Sequence, residues 1–253
     1  IIDFTHFAGK EVISAYWFDG TESSLIYRFS PSRAPIDDPE ADGLLQSVGH
    51  YWEWASQYCC GSKHEAGKVM GLAAFGDHAN SNIEPNLSID DYGRLKLDYK
   101  QMKHSFVQPN IFGLDLSNSP HYQSVALQVQ SETEEAIIKL LNILRDKFPS
   151  EALYLSGGVA LNVVANERII NSRLFKNVIL NGSVEDNGSA IGAALAVHTQ
   201  LGLKKKSSKV TDYYGRLYSQ EDMEEAVSKY DFSISTLTKN TMIKCAANLI
   251  SEG

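Results

Sequence analysis

Thiols are scarce in this 253-residue chain. Its three cysteines are Cys59, Cys60 and Cys245, and no Cys-x-x-Cys pair occurs, so a thiolate zinc site has no framework. An odd, unspaced set predicts reduced thiols in a cytoplasmic setting. No apolar run reaches the roughly eighteen residues of a membrane-spanning helix, so no membrane span is expected. Positive charge is also short. Lys plus Arg is 23 against 31 Asp plus Glu, a net charge of −8. That balance speaks against a nucleic-acid platform, which needs a basic face for phosphates. No Gly-x-Ser-x-Gly elbow is present, which excludes a serine hydrolase of that type. The seven histidines are scattered, with no His-Glu-x-x-His pattern.

What is present suits a folded protein. Apolar residues make up 43% and charged residues 21%, which excludes a disordered chain. The length allows one large domain or two small ones. The chain opens on Ile1, and Met242 to Ser251 reads as a helix close to its end. A piece of a longer protein is therefore expected.

The hydrophobic pattern predicts a hairpin first. Val12 to Phe18 and Ser24 to Phe29 are β-rich and flank Asp19-Gly20. A helix is expected over Leu44 to Tyr58, ended by Gly61. Short strands are expected near Ile89 and at Arg94 to Leu97. His121 to Phe148 carries an amphipathic stripe from Val125 to Leu144 and stops at Pro149. Then come a buried strand at Ala152 to Ser156, a helix from Val159 to Asn171, a strand at Asn177 to Leu180 and a small-residue helix from Gly188 to Gln200. Strand, helix, strand, helix predicts an α/β layer with a mostly parallel sheet. Lys204 to Lys209 reads as a solvated linker. Ser219 with Asp222 predicts a capped helix to about Lys229, and another is expected from about Asn240.

Three segments carry chemistry. In Ser156-Gly157-Gly158-Val159-Ala160-Leu161-Asn162, two glycines stand between a strand end and a helix start. They admit a ligand against the main chain, and the helix N-terminus favours a phosphate. Asn162 is placed to bond a phosphate or sugar hydroxyl. The same residues also read as a tight turn that binds nothing. In Glu185-Asp186-Asn187-Gly188-Ser189-Ala190-Ile191-Gly192-Ala193-Ala194, Asp186 is either a helix cap or a carboxylate ligand to a phosphate-bridging cation. The two loops follow neighbouring strands, where open α/β sheets bind ligands. In Glu65-Ala66-Gly67-Lys68-Val69-Met70-Gly71, Lys68 either meets an anionic substrate or is a surface lysine.

Together, Lys68-Val69-Met70-Gly71-Leu72-Ala73, Gly157-Gly158-Val159-Ala160-Leu161-Asn162 and Glu185 to Ala194 resemble the nodulation-type O-carbamoyltransferase family. The resemblance implies an α/β, actin-like ATPase (ribonuclease H-like) fold, a mixed sheet flanked by helices, shared with TsaD-like enzymes that make threonylcarbamoyladenosine. It implies ATP and carbamoyl phosphate as co-substrates, a carbamoyl adenylate, and transfer to a hydroxyl of a sugar or natural product. Gly157, Gly158, Val159, Asn162, Asn187, Gly188 and Lys68 would line the nucleotide site, and Asp186 would hold a divalent metal, typically iron. The family's double-His element has no counterpart here, so the metal site is expected to be incomplete and the chain alone inactive in transfer. By the same resemblance, 1–203 is a TsaD-like domain lacking its N-terminal part, 204–212 a linker, and 213–253 the helical start of a connection to an absent YrdC-like domain. An actin-like sugar kinase, a threonylcarbamoyl transferase and a non-catalytic nucleotide-binding module stay open as alternatives.

Overall fold

In a computed structural model, residues 2–3, 12–19, 22–30, 46–77, 85–105, 119–203, 215–230 and 235–252 are described. The chain divides into two compact units, Ile1–Lys205 and Lys206–Gly253. The expected linker at 204–212 lies outside the described residues.

The first unit is mixed α/β. Its main sheet has the order β3-β2-β1-β6-β7. Strands β2 (Ile13–Asp19) and β3 (Glu22–Phe29) form the expected antiparallel hairpin, with a register shift between Ala15 and Tyr16. Strand β1 (Ile2–Asp3) joins β2 antiparallel on one side and β6 (Ala152–Ser156) parallel on the other. Strand β7 (Asn177–Leu180) runs parallel to β6. A separate pair, β4 (Leu87–Ile89) and β5 (Leu95–Leu97), is antiparallel, as the short apolar alternation predicts.

Helix α1 (Val48–Cys60) starts later than Leu44, because Ser47 is the cap. The Ser47 hydroxyl accepts from the His50 N–H at 2.9 Å, which satisfies one orphan donor of the first turn. Gly61 closes the helix in the left-handed conformation. Helix α2 (Ala66–Ala73) begins ahead of Lys68, and α3 (Tyr99–Ser105) follows β5. Helix α4 (Pro120–Lys147) is the spine of the unit. The stripe Val125, Val129, Ala136, Ile137, Leu140, Leu141 and Leu144 is buried, and α4 packs on α1, α2, α5 and β4. Pro120 suits a first helical position, and Arg145 and Lys147 complement the dipole at the other end.

Past β6 the structure departs from the sequence reading in three places. The strand is not wholly buried; Leu153 and Leu155 point inward and alternate with more accessible residues. The expected helix from Val159 is two elements, a 3-10 turn over Gly158–Leu161 and then α5 (Val163–Asn171). Asn162 separates them because its side chain caps α5 instead of continuing the turn. Helix α6 (Asp186–Gln200) starts two residues before Gly188. Its cap position is Glu185, not Asp186, and the Glu185 side chain makes no capping hydrogen bond.

In the second unit, α7 (Gln220–Ser228) carries a capping box. The Ser219 hydroxyl accepts from the Asp222 N–H at 3.0 Å, and the Asp222 carboxylate accepts from the Ser219 N–H at 2.9 Å. Helix α8 (Lys239–Glu252) follows, and neither helix has a buried residue.

Candidate functional site

Strands β6 and β7 are in parallel register, Leu153 beside Val178 and Leu155 beside Leu180. The chain therefore leaves both at one end of the sheet. Gly157, with φ 93°, opens the first crossover in a conformation that favours glycine. Its N–H donates to the Val184 carbonyl at 2.7 Å, and the Ser156 hydroxyl donates to the same oxygen at 3.3 Å. Two hydrogen bonds thus fasten the first crossover to the second, two residues ahead of Asp186. The side chain of Asp186 lies outside the described residues.

These loops form one wall of a cleft of about 320 Å³. Gly158, Val159, Leu161, Asn162 and Glu185 come from the crossovers. Trp52 and Glu53 of α1, Lys63 of the connection to α2, and Gly67 and Met70 of α2 face them. A pocket of this size, apolar with a few convergent polar groups, is the usual form of a small-ligand site.

The two crossover glycines that do not bend the chain differ in origin. A Cβ at Gly188 would lie 2.2 Å from the Ser183 carbonyl oxygen, so the loop itself demands glycine there. A Cβ at Gly158 meets nothing within 4 Å, and its φ is outside the left-handed region. Neither backbone nor packing requires glycine at 158. A Cβ there would project into open space beside the cleft.

Asn162 lines the cleft, but its amide is engaged by protein. Its Oδ1 accepts from the Ala165 N–H at 2.9 Å and from Gln130 Nε2 at 3.2 Å. Its Nδ2 donates to Gln130 Oε1 at 3.0 Å. The reciprocal pair, both residues buried, ties the glycine turn to α4. Gln130 also donates to Glu134, which accepts from Arg168 of α5 at 3.0 Å.

Lys68 is not among the cleft-lining residues. Its ammonium is 2.9 Å from Glu65, and that hydrogen bond, with the charge beside it, holds Lys68 above its ordinary range. Nor do Asn187 and Gly188 line the cleft; they sit in the first turn of α6, behind Glu185. The structure brings Gly158, Val159 and Asn162 together in the cleft and adds Trp52, Lys63 and Glu185, with Gln130 holding Asn162 from α4. Gln130 had a signal, a polar residue within the apolar stripe of α4. Lys63 had none. Among the described residues no three or more His, Cys, Asp or Glu gather to hold a metal ion. The side chain of Asp186, the expected ligand, lies outside those residues.

Residues 7–195 match the family described as Carbamoyltransferase N-terminus, and this range holds every cleft residue. The chain belongs to that family. Among curated relatives, it is 30% identical over 210 residues to the uncharacterized protein sll1178 of Synechocystis, covering 75% of this chain and 33% of that one. It is 27% identical over 220 residues to the nodulation protein NolO of Bradyrhizobium diazoefficiens, covering 80% and 40%. It is 27% identical over 133 residues to the 3'-hydroxymethylcephem-O-carbamoyltransferase of Amycolatopsis lactamdurans, covering 52% and 25%. The chain spans about a third of the length of the first curated relatives it matches. Of the described elements, β1, α7 and α8 fall wholly outside the family match, and α6 runs past its end.

Proposed function

We propose that this chain supplies the nucleotide-holding lobe of an O-carbamoyltransferase, which activates a carbamoyl group on ATP and passes it to a hydroxyl of a small acceptor. Membership of the carbamoyltransferase family supports the reaction class, and the cephem relative is named for transfer to such a hydroxyl. The sheet supports the actin-like reading: an antiparallel meander joined through β1 to two parallel strands is what a ribonuclease H-like lobe requires.

The observation that carries the proposal is the Gly157 N–H to Val184 carbonyl bond, which sets both crossovers on one cleft beside the bare backbone of Gly158. ATP would lie with its phosphates against Gly158 and Val159, near the start of α6, where the helix dipole favours anions. Carbamoyl phosphate is the proposed source of the group. Water cleaves carbamoyl phosphate to carbamate and inorganic phosphate. A carbamate oxygen then bonds the α-phosphorus of ATP as the bond from that phosphorus to the bridging oxygen breaks, so pyrophosphate leaves and the carbamoyl group is held on AMP as a reactive mixed anhydride. In transfer, the acceptor oxygen bonds the carbamoyl carbon, the bond from that carbon to the AMP oxygen breaks, and the hydroxyl proton leaves to a base. The protein's task is to hold the anhydride away from water, which the partly buried wall of Trp52, Met70 and Val159 favours.

Isothermal titration with ATP tests this. Gly158→Val puts a branched side chain into open cleft, so the fold is retained while ATP affinity falls by about tenfold or more, the equivalent of roughly 1.4 kcal/mol. Equal binding by parent and variant would leave the glycine turn a purely structural device.

A further inference from the structure

We propose that Lys63 is the residue that neutralises the nucleotide phosphates in this cleft. The inference rests on the nucleotide reading above and names a side chain that the sequence motifs do not contain.

A phosphate held against Gly158 has the second crossover beside it, because Gly157 is bonded to Val184. The next residue, Glu185, lines the same cleft, and its carboxylate has no hydrogen-bond or ion-pair partner among the described residues. The opposite wall adds Glu53, whose carboxylate is 3.3 Å from His50 Nδ1. The chain as a whole is at −8. A polyphosphate entering this cleft therefore meets like charge on two sides, and the backbone amides of one turn must act against it. Among the described cleft residues Lys63 is the one cation. Among the described residues it has no ion-pair or hydrogen-bond partner, whereas Lys68, five residues on, is held by Glu65.

Local structure explains why Lys63 and not Lys68 faces the ligand. Gly61 ends α1 in the left-handed conformation, and α2 begins at Ala66, so Lys63 sits on the short connection between them and lines the cleft from there. Lys68 is already inside α2, one turn past Glu65, and their side chains meet at i and i+3. A lysine binds phosphate as a flexible point charge, so a loop position serves it.

Titration of the whole chain with ATP and with adenosine tests the inference, using parent, Lys63→Met and Lys63→Arg. A phosphate contact predicts that Lys63→Met weakens ATP by about tenfold, in line with a lost charge-assisted hydrogen bond. Adenosine affinity stays at the parent value, and Lys63→Arg recovers most of the ATP affinity. Adding salt weakens ATP binding to the parent more steeply than to Lys63→Met. If Lys63→Met binds ATP as the parent does, the role of Lys63 is refuted while the nucleotide reading stands. If it loses ATP and adenosine alike, Lys63 shapes the cleft and the inference is again refuted. Failure of the parent to bind ATP at all overturns both the nucleotide reading and this inference.

Discussion

Glu132 of α4 is a carboxylate buried among neutral donors. Its oxygens accept from the Tyr51 hydroxyl at 2.8 Å, the Leu87 N–H at 2.9 Å, the Asn86 N–H at 3.1 Å and Gln128 Nε2 at 2.7 Å. These bonds join α1, α4 and the entry to β4 with one side chain. Burial raises the Glu132 pKa, and the four donors oppose that rise without cancelling it. Tyr51 is pushed up in turn, by its own burial first and then by the Glu132 charge. A folded pKa above the unfolded one means the folded state holds the extra proton between the two values. The stability Glu132 contributes is thus greatest below the unfolded pKa and falls as pH rises through the folded one. Glu132→Gln removes that slope, and it costs roughly 1–3 kcal/mol at neutral pH because an amide nitrogen cannot accept from the donors left behind. Urea unfolding of parent and variant across acid to neutral pH measures both effects. A parent curve parallel to that of the variant would refute the assignment.

The glycine turn and α5 stand or fall together. The Gln130–Asn162 amide pair holds the turn on α4, and Asn162 also caps α5. Gln130→Ala leaves the Asn162 amide without its buried partner, so a loss of roughly 1–3 kcal/mol is expected, with weaker ATP binding as the turn shifts. Thermal unfolding and titration together check it; unchanged values in both would show that the pair holds nothing. This is also where the sequence was least legible. Local period and cap residues announced the hairpin, α4 and the capping box of α7, because those signals act within a few residues. The Asn162 cap that separates the 3-10 turn from α5 acts locally, on Ala165, but the bond that holds Asn162 on α4 comes from Gln130, thirty-two residues away. No local rule carries that distance. Likewise, Glu185 takes the cap position of α6 without bonding it, so the usual cap signature pointed to Asp186. In the site, the glycines were readable from type and spacing. Lys63 and Trp52 reach the cleft only by the packing of α1 and α2 against α4.

At the scale of the whole chain, the central claim is that the crossovers after β6 and β7 act on one ligand. The parallel register of the strands and the Gly157–Val184 bond place them together. Hydrogen exchange with and without ATP tests the claim most directly, because each crossover is read separately. The account predicts added protection at 157–162 and at 184–188 together, with 220–228 unchanged. Protection of only one crossover, or of neither while ATP is bound, would contradict it.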